Sequence, residues 1–454
     1  MRARRRAEAR LVAIRPGAGR RRRGGHVRGR AIDAPRVVRP PDAARVNAGF
    51  TTSPPLAAST WILRLSRFLR SCGASTIASH VDFLDIDAYD GLAADWAWLE
   101  ARANGSPFTT WAWVSTWLRC LPDGVRPIAC RVRDGNGLLA LGLMVQVRER
   151  PLQRLFGTHS LSLLETHDPQ IDEITPEYIG LLVRRDREEA GYAAFFEAVV
   201  ARCGNWRRIR FPATAHGDLI QRALPARLRA YCVADRPAYR IDLASIRASG
   251  KDYLQHLSKK TRANLAQVRR AYCALGELRV EEADDPALAV QWLAELRALH
   301  ERRWTPRGQP GSFASAFFRA FHERLVREHA GSGFARLLRV SAGALVVGYL
   351  YVFQWRGGCY FYNSGFNYGA LPRYDSPGIA ALHAVVEHGF ERGWEVFEFL
   401  AGDQDYKRRL STDAARMHWI EVRPAGVRLA LEGMVARLIA RRSLGTPLAE
   451  ALVA

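Results

Sequence analysis

Residues 334–363 hold three consecutive β-strand patterns, and this short meander constrains the fold more than any other feature of the sequence. The three runs, at 334–341, 345–355 and 358–363, are rich in β-branched and aromatic residues and are separated by glycine-containing turns. Two segments with helical periodicity precede the meander, and a helix predicted at 377–392 follows it. Helices on both sides of a run of strands indicate an α+β, or mixed α/β, fold.

The first half of the sequence shows a similar succession of predicted strands and helices. Residues 126–133 and 138–148 are predicted strands, and the turn that joins them, Asp134-Gly135-Asn136-Gly137, favours the positive φ angles of a tight hairpin. A strand at 178–183 and a helix at 188–203 are predicted after the hairpin. Two halves of similar style are consistent with a duplicated fold. We therefore expect one lobe at 80–235, a second at 236–425 and a helical tail at 426–454.

The formal net charge of +22 is concentrated at the amino terminus, where residues 1–45 carry 15 Arg and three acidic residues. The rest of the chain is therefore only moderately basic. We expect residues 1–79 to be a disordered basic leader and linker, or to include a start placed upstream of the true one. An organelle transit peptide and a nucleic-acid-binding arm remain alternatives.

The cysteines and the apolar runs bear on the cellular compartment. The seven Cys residues include no C-x-x-C pair and the 12 His residues form no H-E-x-x-H motif, so no metal is expected. The most apolar stretches, 137–147 and 344–353, are shorter than the roughly 20 residues that cross a bilayer. These features predict a reduced, cytoplasmic protein with no membrane span.

The tripeptide Ser376-Pro377-Gly378 begins the helix predicted after the meander. Ser is a favoured N-cap residue, and Pro is tolerated at the first helical position because its missing N–H would be unpaired there anyway. The same arrangement places Gly378 where an anion can approach the free N–H groups of the helix start. A structural cap and a phosphate cradle are therefore both open readings.

The helix predicted at 251–275 is amphipathic, and its apolar positions share one face. Basic residues, among them Lys259, Arg262 and Arg269, gather on one flank of that face. Such a flank either binds a polyanionic ligand or is a solvated basic surface.

Four short motifs occur in one order along the chain. They are Lys259-Lys260-Thr261-Arg262, Leu299-His300-Glu301-Arg302-Arg303-Trp304, Ser376-Pro377-Gly378, and Phe399-Leu400-Ala401-Gly402-Asp403 with Tyr406-Lys407. This ordered set resembles the BioF2-like (CelD-type) acetyltransferase family of the GNAT superfamily, which is related to the Fem-type aminoacyl transferases. The resemblance extends from near Val81 to Val422.

The resemblance implies two tandem GNAT-like lobes, each with a mostly antiparallel central sheet flanked by helices. It also implies acetyl-CoA as the donor substrate. The pyrophosphate loop of ordinary GNAT enzymes is absent, however, and Arg373-Tyr374-Asp375-Ser376-Pro377-Gly378 stands in its place. We accordingly take Arg373, Tyr374, Ser376, Pro377 and Gly378 as the candidate donor-binding residues.

The other candidate residues follow from the same resemblance. Acyl transfer from a thioester needs a base for the acceptor proton and an acid or cation for the leaving thiolate and the oxyanion. Tyr406 is the candidate acid, Lys407 the candidate cation, and Asp403 and Glu398 are candidate bases or substrate anchors. Without the resemblance, Asp403 would be interpreted as a helix cap and Lys407 as a surface charge. The candidate substrate-binding residues are Lys259, Arg262, Arg269, Glu301 and Trp304.

The expected function is acyl transfer, with acetyl moving from acetyl-CoA to an amine or hydroxyl of a small or saccharide-linked acceptor. No residue is marked as a covalent nucleophile, so direct attack in a ternary complex is expected. The resemblance suggests a place in cellulose or exopolysaccharide biosynthesis. Two alternatives remain: Fem-like aminoacyl transfer from aminoacyl-tRNA to a cell-wall precursor, and nucleic-acid binding through the basic arm.

Overall fold

The computed structural model describes residues 79–147, 159–202, 206–309 and 311–425. The predicted basic leader, through residue 78, and the predicted helical tail, from residue 426, lie outside the described residues. Both stay predictions.

The first half of the described chain contains seven strands and four helices. In chain order they are β1 (His80–Asp85), α1 (Leu92–Glu100), α2 (Trp111–Cys120), β2 (Ile128–Asp134), β3 (Gly137–Val147), β4 (His159–Leu163), β5 (Leu182–Val183), α3 (Glu188–Arg202), β6 (Trp206–Thr214), α4 (Gly217–Ala223) and β7 (Leu228–Asp242).

The second half contains six strands and six helices among the described residues. In chain order they are α5 (Leu243–Ala248), α6 (Lys259–Cys273), β8 (Leu278–Glu282), α7 (Pro286–Trp304), α8 (Ala316–His329), β9 (Ala335–Ala342), β10 (Leu345–Trp355), β11 (Gly358–Phe366), α9 (Pro377–Glu391), β12 (Val396–Ala401), α10 (Asp405–Leu410) and β13 (Asp413–Pro424).

The two halves repeat one order of elements, apart from the short β5 and the inserted α5 and α6. Each half runs strand, two helices, three antiparallel strands, helix, strand, short helix and strand. The described strands form one sheet in the order β1-β2-β3-β4-β6-β13-β7-β12-β11-β10-β9-β8, with β5 paired to β3. Among them, only the pairs β4–β6 and β11–β12 are parallel. The predicted mixed α/β fold, with a mostly antiparallel sheet flanked by helices, is confirmed.

The last strands of the two halves are exchanged. β7, which ends the first half, pairs with β12 of the second, and β13, which ends the second half, pairs with β6 of the first. β7 also pairs with β13 along the whole length of β13. The predicted boundary between residues 235 and 236 falls inside β7, so the two lobes share their central strands.

Two predicted elements have different bounds in the structure. The helix predicted at 251–275 begins at Lys259, because the Ser258 hydroxyl accepts a hydrogen bond from the Thr261 N–H and caps the helix there. The preceding residues form a 3₁₀ turn at Tyr253–His256. The strand predicted at 178–183 is reduced to β5, since Tyr178 has a φ of 55°, which extended backbone does not allow.

Two large buried clusters lie on the two faces of the sheet. One runs through both halves and includes residues of α1, α2, α3, α7 and α8. The other packs α6 and α9 against the opposite face of β9 to β12. The helices α6 and α9 therefore lie on one face of the sheet, and α7 and α8 lie on the other.

Candidate active site

The parallel strands β11 and β12 pair only at their amino-terminal ends. Their last paired residues are Tyr360 and Glu398, although β11 continues to Phe366 and β12 to Ala401. β12 then bends, because Leu400 has a φ of 63° and Gly402 a φ of 130°. The carboxyl ends of parallel strands that separate in this way form a crevice in which ligands bind in α/β proteins.

Two ionisable side chains, Glu398 and Lys407, are buried at this end of β12. Glu398 is 4% exposed and Lys407 is 6% exposed. The Lys407 Nζ donates to the carbonyl oxygens of Leu400 and Ala401 at 3.3 and 2.8 Å. Lys407 is therefore not a surface charge, and its ammonium is fixed at the end of the strand that carries Glu398.

Two partly buried residues of the first lobe, Glu177 and Tyr178, complete this group. The Glu177 Oε2 accepts a hydrogen bond of 2.7 Å from the Ala401 N–H, and the Tyr178 side chain is hydrogen bonded to the Glu398 carboxyl. We call Glu177, Tyr178, Glu398 and Lys407 the acid–lysine cluster. Sequence reasoning missed Glu177 and Tyr178, because no motif marks them and 224 positions separate Glu177 from Ala401.

Burial moves the pKa values of Glu398 and Lys407 toward neutral pH. Burial raises the pKa of the Glu398 carboxyl to about 7, and the nearby Glu177 adds to that increase. Burial lowers the pKa of the Lys407 ammonium to about 8, and the carboxylates of Glu177 and Glu398 oppose that decrease. Burial also raises the pKa of Glu177. Perturbed pairs of this kind are common at catalytic sites.

The start of α9 is the second part of the site. Ser376 is the N-cap residue and Pro377 the first helical residue, but the Ser376 side chain makes no hydrogen bond to the helix N–H groups. The preceding Asp375 carboxylate accepts from the Gly369 N–H at 2.6 Å. A Cβ on Gly378 would lie 3.1 Å from the Phe366 ring, so close packing is one reason for glycine at this position.

Tyr368 lies near the start of α9 and is close enough to affect Tyr406 of α10. The Tyr368 hydroxyl lies 3.6 Å from the position of a Gly378 Cβ, and the Arg303 guanidinium lies 3.9 Å from the Tyr368 ring centre. Burial raises the pKa of Tyr406, and Tyr368 is close enough to raise it further. Arg303 and Tyr368 were also missed from the sequence, where Arg303 was part of a motif but had no assigned role.

Some predicted residues lie outside the buried group. Asp403 is exposed, and its carboxylate accepts a 2.9 Å hydrogen bond from the Tyr239 hydroxyl. It does not cap α10 either, because the N-cap residue is Gln404. Arg373 is exposed and Tyr374 is 50% exposed.

The predicted substrate-binding residues are spread over α6 and α7. Lys259 is exposed, and Arg262 donates to the Leu257 carbonyl at 2.6 Å. Two others are paired with opposite charges: Arg269 with Glu387 of α9 at 3.1 Å, and Glu301 with Arg297 at 2.7 Å. Trp304 is half-buried, with its ring centre 6.1 Å from that of His300. The structure does not bring these five into contact with the acid–lysine cluster.

The missing cap bond at Ser376 has a measurable consequence. Ser258→Ala removes a bond to a helix N–H and is expected to lower the free energy of unfolding by about 1 kcal/mol. Ser376→Ala removes no such bond and is expected to change it by less than about 0.5 kcal/mol. Chemical denaturation of the two variants and the wild type makes the comparison. An equal loss in both variants would show that Ser376 stabilises α9 after all.

Within the described ranges, no group of three or more His, Cys, Asp or Glu side chains is arranged to hold a metal ion. None of the helices that the structure describes is long and apolar enough to cross a bilayer.

Comparison of the sequence with known families gives one match. The model of a family described as "Acetyltransferase (GNAT) domain" matches residues 259–408. This range begins at the start of α6, ends in α10, and contains Glu398, Lys407 and the start of α9. The match supports a GNAT-type acyltransferase domain in this part of the chain and does not distinguish the CelD-type subfamily. Comparison with curated proteins gives no match.

Several solved structures are similar to the chain at low sequence identity. FemX is 10% identical, with a TM-score of 0.48, over 75% of this chain and 97% of FemX. L-PGS from Bacillus licheniformis is 14% identical, with a TM-score of 0.42, over 77% of this chain and 96% of L-PGS. A tandem GNAT protein from the clavulanic acid biosynthesis pathway is 16% identical, with a TM-score of 0.38, over 77% and 99% of the two chains. Similarities at this level carry no information about substrate or mechanism.

Proposed function

We propose that this protein is a GNAT-type acyltransferase that moves an acetyl group from acetyl-CoA to an amine or hydroxyl acceptor. The observation that carries the proposal is the acid–lysine cluster, which lies at the end of β12 where β11 and β12 separate. The family match to residues 259–408 covers the strand, the helix start and the lysine of this arrangement.

The donor would bind from the face of the sheet that carries α9. Its pyrophosphate would lie at the first turn of α9, where free N–H groups and the helix dipole favour anions. Arg303, which packs on Tyr368 beside Gly378, would add a cation there. The thioester would then reach between β11 and β12 toward Glu398.

The chemistry would use three side chains. Glu398 would accept the proton of the attacking amine or hydroxyl, because a carboxyl with a pKa of about 7 is half ionised near neutral pH. Lys407 would stabilise the oxyanion that forms when the acceptor adds to the thioester carbonyl. As the carbon–sulfur bond breaks, Tyr406 would give its proton to the leaving thiolate. Burial keeps the Tyr406 hydroxyl protonated by raising its pKa.

The acceptor class follows from the resemblance to the CelD-type family. By resemblance to the CelD-type family, the acceptor is small or saccharide-linked and the enzyme works in the cytoplasm in cellulose or exopolysaccharide production. N-acetylation would be the usual outcome for such a fold, since an amine is the better nucleophile once Glu398 has removed its proton.

Aminoacyl transfer from aminoacyl-tRNA is the second candidate. The observation in its favour is the flank of α6, where Lys259, Lys260, Arg262 and Arg270 are exposed and can meet a polyanion. Nucleic-acid binding through the arginine-rich residues 1–45 is a third candidate. Deletion of these residues would then remove salt-sensitive nucleic-acid binding and leave acyl transfer intact.

Calorimetry against CoA thioesters and aminoacyl donors tests the donor site. Wild-type protein is expected to bind acetyl-CoA, and Gly378→Trp is expected to weaken binding at least about tenfold, or 1.4 kcal/mol, by filling the space at the helix start. Gly124→Trp is the matched control, since Gly124 is exposed and a Cβ there meets no neighbouring atom.

Because Gly378 packs on Phe366, the melting temperature of Gly378→Trp is measured alongside, and Arg303→Gln provides a second test without added bulk. Weaker binding in both variants, with melting temperatures near the wild-type value, supports the site. Unchanged acetyl-CoA affinity in both would place the donor elsewhere. Binding of aminoacyl-tRNA without binding of acetyl-CoA would favour the second candidate.

A further inference from the structure

The segment 164–181 of the first lobe is held against the second lobe by hydrogen bonds at several points. The Ser315 hydroxyl at the start of α8 donates to the Gln170 carbonyl at 2.6 Å. The Tyr362 hydroxyl on β11 donates to the Ile174 carbonyl at 2.5 Å. Glu177 lies three residues after Ile174, and its side chain accepts from the Ala401 N–H. The segment therefore delivers a first-lobe carboxylate to a fixed place beside β12.

The backbone of this segment is strained. Leu164, His167, Thr175 and Tyr178 all have positive φ angles, and for the β-branched Thr175 the value is 36°. Non-glycine residues in this region cost on the order of 1–3 kcal/mol each and persist only where surrounding contacts enforce them. Two of the four residues flank Glu177, so the strain is concentrated where the chain places this carboxylate.

Glu177 and Lys407 bind opposite sides of one residue. The Glu177 carboxylate accepts from the Ala401 N–H at 2.7 Å, while the Lys407 ammonium donates to the Ala401 carbonyl at 2.8 Å. Glu177 is also the carboxylate with the largest electrostatic effect on Lys407, ahead of Glu398. A carboxylate and an ammonium thus both hold the backbone of Ala401, which lies between Leu400 and Gly402 at the bend in β12.

We propose that Glu177 is a positioning residue of the second-lobe active site, which fixes the end of β12 and supplies the counter-charge that keeps Lys407 cationic. The inference rests on the proposed function, because it assigns Lys407 the role of the cation. Both lobes then contribute to the active site. The second lobe provides the reacting groups, and Glu177 of the first lobe influences their charge.

Every charged group that faces the pair enters the expected pH dependence. Glu177 and Glu398 face Lys407, and Lys407 and Arg236 face Glu177. Glu398 is in addition influenced by Tyr178 and by Arg240, which pairs with Asp413 on β13. In wild-type protein, activity should rise as Glu398 ionises and fall as Lys407 loses its proton.

Glu177→Gln separates the charge from the hydrogen bond. The glutamine side-chain oxygen can still accept from the Ala401 N–H, so only the negative charge is lost. Loss of that charge makes Glu398 easier to ionise and the Lys407 ammonium easier to deprotonate. Both limbs of the pH profile of kcat are therefore expected to move to lower pH, by about one unit or more. Glu177→Asp, which keeps the charge, should lower kcat and leave the limbs in place.

The matched control is Glu189→Gln, an exposed glutamate of α3 that pairs with Arg222, and its profile should equal that of the wild type. A lower kcat in Glu177→Gln without a shift of either limb of the pH profile would overturn the inference. Glu177 would then stabilise only the backbone at the end of β12. The pH titration of the Lys407 side chain, followed by NMR of lysine labelled with carbon-13 at Cε, gives a readout without turnover. If no CoA thioester is a substrate, the proposed function fails. A lower titration midpoint of Lys407 in Glu177→Gln would still support the charge coupling, and an unchanged midpoint would refute it.

Discussion

Glu398→Gln is expected to lower kcat for acetyl transfer by roughly 10²- to 10⁴-fold, the range found when a general base is lost. The glutamine is nearly the same size as the buried glutamate, so the cleft between β11 and β12 should keep its shape. The variant cannot accept the acceptor proton, and binding of acetyl-CoA should be unaffected because the proposed donor site lies on α9. Release of free CoA thiol measures kcat, and calorimetry measures donor affinity.

The pH dependence sharpens this expectation. In wild-type protein the activity should rise through about pH 7 as the Glu398 carboxyl ionises. In Glu398→Gln that acid limb should disappear, leaving only the decline that Lys407 deprotonation produces. That decline should begin at lower pH than in the wild type, because the lost carboxylate no longer opposes the decrease in the Lys407 pKa. Glu395→Gln, a change at an exposed glutamate just before β12, should match the wild type. A Glu398→Gln enzyme with full turnover would exclude Glu398 as the base.

Lys407→Met is expected to abolish activity and to lower the free energy of unfolding by about 3–5 kcal/mol at pH 8. This is a larger loss than that expected for Ser258→Ala or Ser376→Ala. Methionine fills most of the volume of the lysine but removes the cation with the largest electrostatic effect on Glu177, which also faces Glu398. Urea denaturation at pH 8 and at pH 5.5 measures the effect. Lys260→Met, at an exposed position on α6, is the matched control and should be within about 0.5 kcal/mol of the wild type.

The sign of the pH effect follows from where the protons bind. Without Lys407, both carboxyls would have pKa values further above those of the unfolded chain, so the folded protein would hold more protons. Stability then falls as the pH rises above the unfolded pKa of about 4.3. The deficit of Lys407→Met should consequently be much smaller at pH 5.5 than at pH 8. An equal deficit at both values would indicate lost packing rather than lost charge.

The fold was largely predictable because its signals are local. The strand meander, the helices on either side of it and the hairpin at Asp134–Gly137 depend on periodicity and turn residues, which a single sequence displays. The start of α6 was predicted eight residues too early, since the apolar spacing of Leu254 and Leu257 continues the helical pattern through a 3₁₀ turn. Only the Ser258 cap, a side-chain bond to Thr261, ends that continuity.

The candidate site was predictable only where its residues are neighbours in the chain. Glu398 and Lys407 are nine positions apart on consecutive elements, and the structure brings their charges together. Glu177 joins them through packing between lobes, which no sequence pattern encodes. For the same reason Arg269 was taken as a ligand-binding residue: its partner Glu387 lies on α9, and only the packing of α6 on α9 shows that its charge is already paired.

The exchange of β7 and β13 has a consequence for how the protein is made. β6 can complete its pairing only with β13, and the bond between Arg210 and Glu421 that accompanies this pairing spans 211 positions. During synthesis the first lobe must therefore remain with an open strand edge until nearly the whole second lobe has left the ribosome. Contacts of such long range slow folding, and an unpaired edge invites association with other chains in the interval.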